Sequence, residues 1–261
     1  MRRSRPMTAD DYLRLAIHTG SPTAAGAYAM KGLQDAQNRI DPETSLLLLR
    51  EIYRSHFYAG RLRSAHAIAR KMVRIGVALE ISHVDLGRVC MALGWWTRAS
   101  QAYRIAARNA PASRRAMHWS SVAIALHQGG DFEGSLSALE RAVRWSLNTR
   151  PLHRAYIALV RVDAGEPVDA IEGLTEAIDE LEVARCGEGY GRYVLGLLLA
   201  AQGDDLRARA HLRIFVKRNA SDPMRASTLH GELRRARVTL RAIRKGSASQ
   251  PPVAPPPPSG A

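Results

Sequence analysis

From Glu80 to Pro111 the apolar positions fall into two helical runs. Leu86, Gly87 and Cys90 share one face of the first run, and Gly94 breaks the chain. Ala99, Tyr103 and Ala106 then recur at spacings of four and three, which is one face of a second helix. Pro111 closes the unit. A single hairpin of this kind cannot bury both apolar faces, so it needs neighbours. The chain repeats the pattern. Gly60, Gly94, Gly130, Gly165 and Gly203 are separated by 34, 36, 35 and 38 residues, each between two apolar helical runs. Five positions after each glycine stand Ala65, Ala99, Ser135, Ala170 and Ala208. Four further on stand Ala69, Tyr103, Leu139, Leu174 and Leu212, and three beyond those Met72, Ala106, Ala142, Ala177 and Phe215. This spacing predicts one helix face on which small residues at the first and third positions let paired helices approach closely and the larger middle residue fills the space between repeats. Seven residues before the glycines stand Tyr53, Gly87, Ala123, Ala158 and Gly196, and eight before them Ile52, Leu86, Val122, Ile157 and Leu195.

These positions resemble the tetratricopeptide repeat. In the best-matching unit Leu86, Gly87, Gly94, Ala99, Tyr103, Ala106 and Pro111 stand where that family's pattern places them. The next unit adds Trp119, the turn Gly129-Gly130-Asp131-Phe132 and Ala142. The chain departs from the pattern at His83, where the family has a tryptophan. It departs again at Cys90, Leu126, Arg161 and Leu199, where an aromatic precedes the turn, and most units lack the closing proline. The resemblance implies an all-α fold: a right-handed superhelical solenoid of antiparallel helix pairs, about five to six repeats long, closed by a C-terminal capping helix.

The expected organisation follows the punctuation. Residues 1–7 form a basic, disordered leader. Residues 8–41 form a divergent first hairpin. In it Thr8 with Asp10 and Asp11 starts a helix through Leu13, Ala16 and Ile17, and Gly20-Ser21-Pro22 ends that helix. Thr23 caps a second helix running towards Ile40, with Tyr28, Leu33 and Ala36 on its apolar side. Asp41-Pro42-Glu43 starts the next, with proline in the first turn. Residues 42–220 form the repeat solenoid. Residues 221–245 form one capping helix with Leu229, Leu233, Ala236 and Leu240 inward and Arg234, Arg235, Arg237, Arg241 and Arg244 outward. Residues 246–261 form a disordered proline-rich tail.

Charge adds a second theme. Thirty-eight Lys and Arg stand against 24 Asp and Glu, a formal net charge of +14 that favours acidic partners or follows from an arginine-rich solvated surface. Cys90 and Cys186 lie far apart in helical segments without metal-ligand spacing, so free thiols in a reducing compartment are expected, with no disulfide framework. The basic N-terminus is not followed by an apolar stretch, and the apolar run Val194 to Ala201 is too short for a membrane span, so a cytoplasmic protein without a transmembrane segment is expected. GxSxG, HExxH, a GxGxxG after a strand and a GxxxxGK phosphate loop are all absent. The histidines fall at unrelated repeat positions, and His56 and His66 alone could face one another across a turn. A non-catalytic protein with no cofactor and no metal is the expectation.

In the family the first helices line a concave groove. The register implies that Arg50, Arg54, Phe57, Arg88 and Met91 line its N-terminal part, His127 its middle, and Tyr190 and Tyr193 its far end. A basic end and an apolar, tyrosine-bearing end suit a partner peptide or helix with an acidic and a hydrophobic portion. The structural alternative is that the arginines are solvated and the tyrosines contact the next repeat. Some members grip a C-terminal carboxylate with lysine and asparagine; here Arg50, Arg54, Asp85 and Arg88 hold those places, so that mode is not expected. The second helices carry Arg61, Arg63, Arg70, Lys71 and Arg74, then Arg98, Arg104 and Arg108, then Arg207, Arg209, Arg213, Lys217 and Arg218. They suggest a positive convex stripe. The alternative function is therefore a regulatory or accessory protein that contacts nucleic acid or anionic surfaces non-specifically through this face. Trp95-Trp96 places two indoles at one turn, one expected in the core and one at the surface.

Overall fold

The computed structural model describes residues 7–35, 40–184 and 189–246. The leader residues 1–6, Ala36, Cys186, Gly187 and the proline-rich segment 247–261 lie outside the described residues. Within them there are fourteen α-helices and no strand.

Every turn glycine singled out by spacing has positive φ, from 70° at Gly60 to 95° at Gly165, a region that glycine enters without a Cβ penalty. Each separates an antiparallel helix pair. The pairs are α3 (Pro42–Tyr58) with α4 (Leu62–Ile75), α5 (Leu79–Ala92) with α6 (Trp96–Asn109), and α7 (Ala112–Gln128) with α8 (Phe132–Trp145). They continue with α9 (Arg150–Asp163) and α10 (Leu174–Val183), then α11 (Tyr190–Ala201) and α12 (Asp205–Ala220). Successive helices pack in chain order, so the protein is an all-α solenoid with a tetratricopeptide-like register.

The close approach within a hairpin is built by small residues. A Cβ on Gly87 would lie 2.6 Å from the Tyr103 ring, and one on Gly196 would lie 2.5 Å from Leu212 Cγ. The large middle residue of the second helix thus sits on the smallest residue of its own first helix. Ser135 Oγ donates to the Ala123 carbonyl at 3.0 Å, which marks the same approach in the third pair. Ala65, Ala99, Ser135 and Ala208 are all fully buried.

The fourth pair departs from the expected register. Ala170 belongs to an exposed 3-10 turn (Val168–Ala170) and not to a second helix. Pro167 precedes this turn and Gly173 follows it with φ 72°, so α10 starts late and Ile171 is buried where Ala170 was expected.

The N-terminal hairpin is α1 (Ala9–His18) and α2 (Pro22–Asp35). Thr8 and Asp11 form a reciprocal capping box at α1. At α2 the Ala24 amide donates to Ser21 Oγ, so Ser21 and Pro22 start the helix and Thr23 lies inside it. Tyr28 is exposed, whereas Ala25, Gly26, Ala29 and Gly32 face the neighbours. The reason is proximity: a Cβ on Gly26 would meet Ser55 at 2.5 Å, and one on Gly32 would meet Tyr12 at 2.9 Å.

The C-terminal segment is two helices, α13 (Pro223–Thr228) and α14 (His230–Arg244), instead of the single helix expected over 221–245. Asp222 caps α13 through the amides of Met224 and Arg225. Among the described residues no helix is long and apolar enough to cross a membrane.

Candidate functional site

The first helices α3, α5, α7, α9 and α11 stand side by side, and the C-terminal pair lies across them. Helix α13 packs on α3 and α5, with Met224 against the cluster that holds Tyr53, Phe57 and Val89. Helix α14 packs on α11 and α12. At its start His230 stacks on Trp96 with ring centroids 5.6 Å apart, and Gly231 abuts Gln128 at the end of α7. Further along, Arg235 forms a two-pronged ion pair with Asp163 at the end of α9. The segment therefore reaches the first helix, or the turn, of every hairpin in the solenoid.

Beneath α14 is a buried polar network. His127 Nε2 lies 2.7 Å from Asp163 Oδ2, and its Nδ1 lies 2.8 Å from the Tyr156 hydroxyl. The Nε2–H tautomer satisfies both contacts: it donates to Asp163 and accepts from Tyr156. Tyr190 donates to Tyr156 at 3.2 Å and points its hydroxyl at Glu232 Oε1 at 3.5 Å. Burial alone would raise the Asp163 carboxyl, but the hydrogen bonds from His127 and Arg235 outweigh it and hold the group below the usual carboxylate value. Burial pushes the Tyr156 and Tyr190 hydroxyls well above 10, which keeps them donors. At Glu232 burial outweighs the lowering effect of its backbone hydrogen bond, of Tyr190 and of Arg235, and raises the carboxyl to about 7.

The last shift makes a prediction. Glu232 faces the Tyr190, Tyr156 and Tyr193 hydroxyls from α11 and α9, with Arg235 on its own helix and Asp163 beyond. A carboxyl raised in the folded state contributes stability that is fully present below its unfolded value near 4.5 and is lost as pH rises through about 7. The loss amounts to roughly 3 kcal/mol by linkage. Glu232→Gln is expected to remove this dependence and to melt higher than the parent at pH 8, checked by thermal unfolding between pH 4.5 and 8.

At the other end of the first-helix row, Asp85 is almost fully buried between two of the predicted groove arginines. Arg50 Nε lies 2.8 Å from one carboxylate oxygen and Arg88 Nη1 lies 2.9 Å from the other. Tyr53 donates to the Asp85 carbonyl at 3.0 Å. Arg54 pairs with Glu51 at 3.0 Å. The three arginines therefore arrive with two carboxylates, and the basic end is weaker than its sequence implies. Leu47, 42% exposed, lies beside Arg50 and Arg54 at helical spacing.

The eight residues singled out for the groove thus have different positions. Arg50 and Arg88 meet at Asp85, and Arg54 is exposed. Phe57, Met91 and Tyr193 belong to the core and not to an open wall, because neighbouring helices and the C-terminal pair cover them. Tyr190 does meet a helix, α14, through Glu232, and His127 reaches it only through Asp163, which holds Arg235. Tyr156, Asp163, Glu232 and Arg235 are network residues that sequence reasoning missed. Arg235 in particular faces inward, 7% exposed, where an outer stripe was expected. A helix on the end of a stack buries one stripe, whereas α14 buries Glu232, Leu233, Arg235, Ala236, Thr239 and Ile243, which spans two adjoining stripes. The polar residues beside the leucine stripe, at 232, 235 and 239, were the available signal.

Other sequence candidates separate. His56 accepts from Arg61, and His66 lies edge-on to Trp95, so the two histidines are not brought together. Trp95 is half-buried beneath Arg98. Cys90 is a buried free thiol, which burial raises to about 11. The positive convex stripe is interrupted: α10 shows Glu176, Asp179 and Glu180 to solvent between the basic residues of α6 and α12. A different basic feature occurs on α7 and α8. Arg141 covers Trp119 at 4.7 Å and Arg115 covers Trp145 at 4.5 Å, and Trp119, Arg141, Arg144 and Trp145 line a shallow cavity of about 420 Å³.

No protein-family model matches the sequence, and no curated protein matches it. Among solved structures the chain is similar to the TPR domain of P58(IPK), at 13% identity and a TM-score of 0.35, over 91% of this chain and 68% of that one. The repeat architecture rests on the helix register and packing of this chain and not on that likeness.

Proposed function

We propose that the protein is a non-catalytic interaction scaffold that holds a partner peptide or helix on the face formed by its first helices. One observation carries this reading: the face already holds a helix, through side chains drawn from several hairpins. A surface that reads an arginine with Asp163 and an acidic group with Tyr190 discriminates by chemistry as well as by shape. The uncovered part of the same row is the α3 strip of exposed Leu47 and Arg54 with half-buried Arg50, in which Arg50 shares Asp85 with Arg88 and Arg54 pairs with Glu51. It suits an acidic segment with an aliphatic anchor. Exchanging Arg50 and Arg88 for acids would crowd the buried Asp85, so the test uses exposed positions. Leu47→Asp with Arg54→Glu is expected to fold as the parent does and to lose the partners that the parent captures from native lysate by more than about tenfold. Equal capture by both proteins excludes the α3 strip.

A second reading, contact with single-stranded nucleic acid, is favoured by the Trp119–Arg141–Arg144–Trp145 cavity. Indole faces beside guanidinium groups suit bases and phosphates. It requires indole fluorescence quenching by oligothymidine that weakens steeply with added salt. Unchanged fluorescence at low salt rejects it.

A further inference from the structure

We infer that the C-terminal pair α13–α14 is an exchangeable occupant of the first-helix face, and that the partner this face takes is a helix of the same make. Such a helix carries an acidic residue, an arginine three positions later, and aliphatic residues at the places of Leu229, Leu233, Ala236 and Leu240. This inference rests on the reading of the face as a helix-binding surface.

Three observations separate α14 from a permanent cap. First, its seat adds a buried polar stripe to the apolar one, formed by Leu233, Ala236 and Ile243, that a cap alone would need. Arg235, Glu232 and Thr239 are all buried, and the ion pair with Asp163 loses nearly all its water. Buried pairs of this kind add little net stability over well-packed apolar residues, and their best-attested use is to fix which partner docks and in which register. Second, the seat is imperfectly satisfied. Arg235 Nε and Tyr193 Oη are buried and, although the two side chains interact, neither atom has a hydrogen bond of good geometry, and among the described residues Glu232 is buried without an ion-pair partner. Each such group costs free energy that an opening recovers. Third, the connection is light. Helix α13 has no buried residue, and a break at Leu229 separates it from α14. A pair tethered by α13 and seated partly on polar contacts can leave at the cost of the apolar contacts of Leu233, Ala236 and Ile243, while the hairpins keep their own glycine-mediated packing.

The arrangement also supplies a recognition rule. Tyr190 sets its hydroxyl 3.5 Å from the acidic residue, its one proton shared between that residue and Tyr156, and Asp163, oriented by His127, presents two acceptors to the arginine. The two receptors come from different helices, α11 and α9. An isolated acid or arginine meets half of the site.

The test uses the full chain and a fluorescent synthetic peptide of residues 221–246. Anisotropy should show the peptide binding full-length Arg235→Ala, whose own α14 is weakened, at least about tenfold more tightly than it binds the parent. A peptide carrying Glu232→Ala and Arg235→Ala should bind neither. If the folded variant binds the native peptide no better than the altered one, the inference is wrong. Hydrogen exchange on the parent gives a readout that does not depend on the variant's folding. Amides of 230–244 should exchange faster than those of α9 and α11, and exchange at one common rate would overturn the inference. Neither measurement uses the α3 strip or a lysate. A failure here with successful capture there leaves the scaffold reading standing, and the reverse result limits the face to its own helix.

Discussion

Arg235→Ala is expected to lower folding stability by about 3–5 kcal/mol, because it strands a buried carboxylate. Asp163 is 3% exposed at its side chain, with Arg235 as its one full positive charge and His127 as its remaining donor. Removing the guanidinium leaves the desolvation of Asp163 in place and takes away the interaction that offset it. The loss should depend on pH. Asp163 is held below its ordinary value, so its contribution is present above about 3.8 and disappears as pH falls through the folded value. The gap between parent and variant should therefore narrow in acid. Arg234→Ala, one position away and exposed, should stay within about 0.5 kcal/mol of the parent. Replacing both partners together, Asp163→Leu with Arg235→Met, should recover most of the loss because no charge remains to be desolvated. Urea unfolding of the four proteins at pH 7 and in acid well below about pH 3.8 measures all of these effects.

Ala99→Trp should prevent the chain from folding stably at 25 °C. Ala99 is fully buried on the face of α6 that approaches its partner helix, in the pair where Tyr103 already meets Gly87. Core insertions of a methylene or two cost about 1–3 kcal/mol, and an indole in this contact forces the helices apart. An indole is several times larger than such an insertion, so its cost is expected to reach the lower end of the stability of a typical domain, about 5–15 kcal/mol. The equivalent repeat position in the fourth hairpin behaves differently. Ala170 is exposed in a 3-10 turn, so Ala170→Trp should be tolerated within about 0.5 kcal/mol. Circular dichroism and thermal melting of both variants distinguish the observed structure from an unbroken register, which would make the two substitutions alike.

The contrast between those two alanines shows what was legible in the sequence. The repeat is written in turn glycines and small residues, and short-range sterics fix both. Gly94, Ala99 and Tyr103 needed no knowledge of distant chain. The register failed at Ala170 because Pro167 and Gly173 impose local backbone terms that outweigh periodicity. It also failed at Tyr28, where Gly26 and Gly32 turned α2 so that its small face, not its aromatic, met α3. The candidate site was harder for a different reason. The positions of His127 and Tyr190 on the first-helix face followed from the repeat, but Glu232, beside Tyr190, and Arg235, which holds His127's partner Asp163, come from the C-terminal segment. Asp163 and Arg235 are 72 residues apart. Nothing in local pattern says that a terminal arginine turns inward, except the polar residues at 232, 235 and 239 beside an apolar stripe. The same absence of long-range information made Arg50 and Arg88 look like free cations, although Asp85 lies between them.

The central claim is that the C-terminal helix is seated on the first-helix face through Asp163 and Arg235. A double-mutant cycle on those two residues tests it most directly. Stability is measured for the parent, Asp163→Ala, Arg235→Ala and the double variant. A coupling energy of about 2–3 kcal/mol is expected. Additive effects within about 0.5 kcal/mol would mean that the two side chains do not meet, and would contradict the seating of α14.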